Sequence, residues 1–330
     1  MLAVETTDLT KVFNGNIAVN KINLQVKEGE LLGLLGPNGA GKTTIISILC
    51  TLIKPSSGTA YVWNYDVVKQ QDKVRSSIGI VFQDSSLDEE LTAFENIDFH
   101  GRLYKIPLNL RKKKIEELLR LVGLDDKRDK VVKTFSGGMR RRLEIARGLL
   151  HFPKVLFLDE PTLGLDPQTK KHIWDYIKRL KEEGMTIILT THCMDEADNL
   201  CDQIAIMNKG EIIALDTPFN LKNNINKDMI ILEVSETKED LRLVLNLPYI
   251  HEIKIEDNKT VRIFLNEGES KVSQILEKMY QHQIKVNSLR INRPTLDDVY
   301  LYYTGKEIKE DYPDNKIHLR ERLKLRRRKI

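Results

Sequence analysis

The sequence of 330 residues has no apolar stretch able to cross a bilayer. Its longest runs without a charged residue, such as Thr43 to Ile53, are 11 residues, whereas a spanning helix needs ~20 predominantly apolar residues. Cysteine is scarce. Cys50, Cys193 and Cys201 are odd in number and show no C-x-x-C spacing, so they read as reduced cytoplasmic thiols that pack rather than react. The seven histidines include no H-E-x-x-H or other short-spaced ligand pair, which argues against a protein-built zinc site. The N-terminus carries Glu5 and Asp8 and lacks the apolar core of ~7–15 residues that a secretory signal requires. Excess charge of either sign is small, with 52 basic against 48 acidic side chains. Residues 316–330 hold eight of the basic residues (Lys316, Arg320, Arg322, Lys324, Arg326, Arg327, Arg328, Lys329) and one acidic residue, Glu321. The body is therefore weakly acidic, which excludes a folded surface built mainly for nucleic acid.

What is present is a globular composition, 41% apolar and 30% charged, at a length that suggests two domains. Residues 1–217 alternate short β runs with helical patterns, the sign of a largely parallel sheet covered by helices. Leu31 to Gly36, Ile78 to Phe82, Val155 to Leu158 and Thr186 to Thr191 read as strands, and Lys42 to Ile53 as a helix. From Leu91 to Lys133 the pattern turns helical, with Ile115, Leu118, Leu119 and Val122 on one face, so a helical subdomain is expected over about 91–152. Residues 218–227, with a Pro and several Asn, read as a linker. Beyond it the order β-α-β-β-α-β over 228–305, with a turn at Asp257-Asn258, predicts a small α+β domain of ferredoxin-like type. A basic tail occupies 306–330.

Three segments carry chemistry. Gly36-Pro37-Asn38-Gly39-Ala40-Gly41-Lys42-Thr43 fits G-x-x-x-x-G-K-[ST] between a strand and a helix, so its amides and the helix N-terminus would cradle phosphate. Lys42 would reach the β- and γ-phosphates, and the Thr43 hydroxyl would serve Mg²⁺; Thr44 closes the same loop. The strand Val155 to Leu158 runs into Asp159-Glu160 and delivers two carboxylates where α/β folds bind ligands. Asp159 suits Mg²⁺, which leaves Glu160 to orient or deprotonate the attacking water. Ser136-Gly137-Gly138 opens a helix through Leu149 and is a second anion-directed helix start.

In that order, these segments resemble the nucleotide-binding subunit of ATP-binding cassette (ABC) transporters, over residues 1–217. The resemblance implies a P-loop NTPase cassette using ATP and Mg²⁺, with Lys42, Glu160 and His192 in catalysis. It makes Gln83 the Q-loop residue that touches Mg²⁺ and the membrane partner, Leu163-Gly164-Leu165-Asp166 the D-loop, and His192 the switch residue on the γ-phosphate. Phe13 would stack on adenine; a place in the core is its alternative. Met139 replaces the Gln usual after the signature glycines. With Phe135 to Glu144 and Pro161 to Pro167, it resembles the daunorubicin-resistance type, whose members export drugs, lipids, polysaccharides or sodium through a separate ABC-2-type permease. Arg293-Pro294-Thr295-Leu296-Asp297-Asp298-Val299-Tyr300 and Thr304-Gly305 resemble the C-terminal domain of that group. The expected partners are thus a permease and a second ATPase subunit, head to tail in a homodimer, at the cytoplasmic face of the membrane. The tail is a candidate for anionic lipid, and nucleic acid is not expected. A soluble ABC ATPase acting on ribosomes or DNA would usually fuse two cassettes or carry long coiled coils, and a nucleotide-sensing regulator would show a damaged catalytic set.

Overall fold

The computed structural model describes residues 1–225, 228–235, 241–256, 260–265, 268–292 and 294–304. Two compact units divide between Ile213 and Ala214.

In chain order the first unit forms β1 (Leu2–Phe13), β2 (Asn16–Lys27), β3 (Leu31–Leu35), α1 (Lys42–Leu49), β4 (Ser57–Val62), β5 (Tyr65–Asp66), α2 (Gln71–Ser77) and β6 (Ile78–Val81). It continues with α3 (Ala93–Leu103), α4 (Leu108–Leu121), α5 (Gly137–Leu149), β7 (Val155–Asp159), α6 (Pro167–Glu182), β8 (Thr186–Thr191), α7 (Met194–Leu200), β9 (Gln203–Asn208) and β10 (Glu211–Asp216). Six of the strands make a sheet in the order β10-β9-β3-β8-β7-β6, and β9-β3-β8-β7-β6 are parallel neighbours. Because both faces are covered, β3 (LLGLL) and β7 (VLFLD) are buried throughout and read as apolar runs rather than alternations.

The parallel sheet is only part of this unit. Residues 2–66 also supply a second, four-stranded sheet in the order β2-β1-β4-β5, antiparallel in its pairings, that shares a core with α1 through Val4, Leu24, Val62, Ile46 and Leu49. The helix from Lys42 stops at Leu49, short of Ile53, since Thr51 is left-handed (φ 62°) and Leu52 is exposed.

The helical subdomain comprises α3 to α5. Thr92 and Glu95 form a capping box at the start of α3. Ile115, Leu118, Leu119 and Val122 are all buried, as their 3.6-residue periodicity requires. Between α3 and α4 a buried ion pair joins Asp98 to Arg111 (2.5 Å), with Arg102 at 2.8 Å on the other carboxylate oxygen.

The second unit adds α8 (Pro218–Ile225), β11 (Asp228–Val234), α9 (Leu241–Val244), β12 (Ile250–Glu256), β13 (Thr260–Leu265), α10 (Gly268–Gln281), β14 (Val286–Asn292) and α11 (Leu296–Thr304). Its sheet runs β12-β13-β11-β14 with every neighbour antiparallel, the ferredoxin-like arrangement. Within the segment expected to be a linker, residues 218–225 are helical. The Thr217 hydroxyl accepts the Asn220 N–H, Pro218 takes the first helical position, where its missing N–H costs nothing, and Leu221 is buried. The turn at Asp257-Asn258, Arg293, Gly305 and the tail from 306 lie outside the described residues.

Candidate functional site

The parallel strands bring most of the sequence motifs to one sheet edge, since β3, β6, β7 and β8 all end there. The Gly36 amide donates to the Thr191 carbonyl at 3.3 Å, tying the phosphate loop to the end of β8. Gly41 is left-handed (φ 103°), and a Cβ on it would lie 2.5 Å from the Ala18 carbonyl oxygen, so only glycine fits. Gly41 also offers no side chain to cap α1. The first helical amides of α1, which include Thr43 and Thr44, are thereby left for an anion.

Lys42 is 5% exposed. Its ammonium donates to the carbonyls of Gly36 (2.7 Å) and Pro37 (3.2 Å) and lies 3.4 Å from Glu160 Oε1. The other Glu160 oxygen, Oε2, is 2.6 Å from His192 Nδ1. Burial lowers the Lys42 pKa, and Glu160 and Asp159 offset only part of that. For Glu160 burial works upward, but the hydrogen bond with His192 and the Lys42 charge outweigh it and hold the carboxyl below the usual glutamate range. Glu160 is therefore a carboxylate at neutral pH, gripped from both sides.

Asp159 Oδ1 accepts hydrogen bonds from the Thr43 hydroxyl (3.1 Å) and the Thr190 hydroxyl (2.5 Å). A hydroxyl and a carboxylate in contact are a donor set that fits Mg²⁺. That ion takes one or two protein oxygens and completes its shell with phosphates and water.

Other expected residues stand apart. Gln83 is exposed just past β6, and among the described residues no hydrogen bond joins it to Thr43 or Asp159. Phe13 is 44% exposed, so it is no core residue. It ends β1 opposite Asn16, with Lys11 Nζ 4.9 Å from its ring centre. Ser136 caps α5, its hydroxyl accepting the Met139 N–H at 3.3 Å. Gly138 packs on α6, where a Cβ would meet the Thr169 methyl at 2.3 Å, and Asp166 caps that helix through Thr169. Among the described residues, no hydrogen bond or ion pair links Ser136 to Gly138 with the loop Gly36 to Thr43. The chain thus presents two separate anion-directed helix ends.

Residue-by-residue reading missed three side chains. Thr190 also accepts the Glu160 N–H, at 3.0 Å. Glu196 is buried and accepts from the Thr162 hydroxyl (2.8 Å) and the Trp174 indole (3.0 Å), joining the segments after β7 and β8. Arg141 donates to the carbonyls of Asp159 (2.7 Å), Pro161 (2.9 Å) and Phe82. Its one sequence signal was a pair of opposite charges, Arg141 and Glu144, at i,i+3 on the buried face of α5.

Comparison with known proteins places this geometry. Residues 19–163 match the family described as ABC transporter, and residues 217–304 match the C-terminal domain of DrrA1-3-like ATP-binding proteins. The daunorubicin/doxorubicin resistance ATP-binding protein DrrA of Streptomyces peucetius is 38% identical over 305 residues, 92% of each chain. The linearmycin resistance ATP-binding protein LnrL of Bacillus subtilis is 36% identical, over 93% of this chain and all of its own. Among solved structures, cbiO1 of Clostridium perfringens, part of an ABC transporter complex, superimposes with a TM-score of 0.63 at 33% identity, covering 67% of this chain and 90% of its own. The ATP-binding cassette MJ0796, dimeric and bound to ADP and Pi, gives 0.59 at 30% identity, covering 65% and 98%. The chain belongs to the ABC transporter family, as an ATP-binding and ATP-hydrolysing protein of the daunorubicin-resistance type.

Proposed function

We propose that this ATPase powers an exporter whose membrane-spanning part is a separate ABC-2-type permease. Three relatives support export, two named for drug or linearmycin resistance and one, from Neorhizobium galegae, for Nod factor export. No helix among the described residues is long and apolar enough to cross a membrane, which fits a membrane-spanning part on a separate polypeptide. The cargo class is drug-like, lipid-like or another hydrophobic molecule, or an ion. The protein would work as a peripheral subunit at the cytoplasmic face. There α3 and α4 expose Phe99, Leu103, Leu108 and Leu110, an apolar surface that a permease would cover. We assign residues 1–217 to the cassette and 228–305 to an accessory domain, and the tail, rich in Lys and Arg, to anionic lipid, where each basic residue contributes ~1 kcal/mol.

In the reaction, the loop amides that include Thr43 and Thr44, with the Lys42 ammonium, bind the phosphates, and Phe13 stacks on the base. Thr43 and Asp159, with Gln83, would hold Mg²⁺, which supplies charge neutralisation on the β- and γ-phosphates. Glu160 orients the attacking water and takes its proton. His192 holds the Glu160 carboxylate and contacts the γ-phosphate. The two separated helix ends are best used head to tail: ATP on one subunit's loop is closed by Ser136, Gly137, Gly138 and Asp166 of a second copy.

The observation that carries this reading is Glu160 set between Lys42 Nζ (3.4 Å) and His192 Nδ1 (2.6 Å) at the end of β7. Glu160→Gln keeps shape and removes the charge. It should bind ATP with near wild-type affinity, lose ~10²-fold or more in kcat, and accumulate as an ATP-bound dimer in size-exclusion chromatography. Retained turnover would refute the assignment.

A further inference from the structure

Glu160 has an unusual backbone for a catalytic carboxylate, because it is left-handed, with φ 49°. A residue with a Cβ is disfavoured in that region and stays there only when its surroundings hold it. The Glu160 amide is held by the Thr190 hydroxyl (3.0 Å), and the peptide carbonyls on either side of it are held by Arg141 on α5, five residues beyond Ser136. Its guanidinium donates to the carbonyl on each side of Glu160, from Nη2 to Asp159 O (2.7 Å) and from Nε to Pro161 O (2.9 Å). From Nη1 it donates to Phe82 O, immediately before Gln83, and it meets the Glu144 carboxylate at 3.1 Å. Arg141 is 6% and Glu144 3% exposed, so both charges are out of water and are accounted for by these contacts. The same helix face grips the Gln83 segment further on. Glu144 Oε1 accepts the Ser86 N–H at 3.1 Å, and Arg147 donates to Ser86 O at 2.7 Å.

We propose that Arg141 is a positioning residue for Glu160, fixing the left-handed turn that aims the carboxylate between Lys42 and His192. The inference rests on Glu160 being the water-activating group. Its chemistry depends on a planar, forked donor set that reaches three carbonyls at once, which a lysine ammonium on a single stem does not reproduce. Because α5 begins at the signature Ser136, the same guanidinium makes that helix, the Glu160 turn and the residue before Gln83 one mechanical unit. Engagement of Ser136 to Gly138 by a second copy would reach the chain's own Glu160 through it.

The test uses the full-length protein with Arg141→Gln, Arg141→Lys and Arg141→Ala, and with Glu160→Gln in parallel. A misaimed carboxylate should cut kcat on the order of 10²-fold, while KM for ATP and the affinity for a fluorescent ATP analogue stay within about threefold. Millimolar methylguanidinium should raise the kcat of Arg141→Ala at least about fivefold and leave wild type unchanged, a rescue that general destabilisation would not show. Should Arg141→Ala fail to fold, Arg141→Lys, which keeps the charge beside Glu144, carries the same split. A fall in kcat of less than about tenfold, or nucleotide affinity falling in step with kcat, would overturn the positioning role. If Glu160→Gln itself keeps turning over, the functional reading fails; if Glu160→Gln is inactive and the Arg141 variants are not, only this inference fails.

Discussion

Lys42 and Glu160 are the two side chains whose chemistry is most exposed to measurement, and they act differently. Lys42 is buried and charged beside the phosphate loop. Two unit charges ~4 Å apart interact by roughly 4 kcal/mol at an effective dielectric of ~20, of which desolvation cancels a part. Lys42→Ala should therefore weaken ATP binding by ~10–100-fold in equilibrium titration, and turnover should fall with it. Unchanged affinity would mean that the loop amides alone hold the phosphates. Residues of this kind were legible in the sequence because their motif is contiguous: Gly36 to Thr43 and Asp159-Glu160 need only a strand before them. Arg141 and Thr190 were not. Their partners are backbone atoms of segments far away in the chain, such as Phe82 and Glu160, and no spacing rule encodes a carbonyl met only after folding.

At the scale of elements, the parallel strands and the amphipathic helices followed from apolar runs and periodicity, whereas α8 did not. Pro218 and the asparagines read as breakers, yet behind Thr217 they open a helix. The antiparallel sheet of β1, β2, β4 and β5 was hidden by the same parallel-sheet expectation that located the site. The helical subdomain offers a prediction of its own. Asp98 sits between Arg111 and Arg102; burial works to raise its pKa, and the two guanidinium groups outweigh this and hold it below the usual aspartate range. Asp98→Asn leaves a buried Arg111 uncompensated and should cost ~3 kcal/mol in urea unfolding at pH 7. A depressed carboxyl pKa gives stability that is complete above the unfolded value of ~3.9 and is lost as pH falls through the lower folded value. The gap between wild type and Asp98→Asn should thus be the same at pH 7 and pH 5 and close only in stronger acid. A gap under about 1 kcal/mol at pH 7 would show the pair to be dispensable.

For the whole molecule, one chain carries a phosphate loop and a signature with no hydrogen bond or ion pair between them among the described residues, which fits the proposal of a site completed by a second copy. The periodicity of the sequence restarts near residue 228, whereas the two compact units divide between Ile213 and Ala214. How a permease engages the cassette was not legible, because exposed residues such as Phe99 and Leu103 carry no periodic signal of their own. The most direct measurement is ATPase activity in a mixture of two inactive variants. Ser136→Arg keeps the loop and spoils the signature; Lys42→Ala does the reverse. A mixed dimer then holds one site in which the loop of the first meets the signature of the second, both intact. Equal mixing should restore activity, up to about a quarter of wild type if half of the dimers are mixed and each has one working site of two. Activity no higher than the sum of the two variants alone, or a wild-type enzyme that hydrolyses ATP at full rate as a monomer, would contradict it.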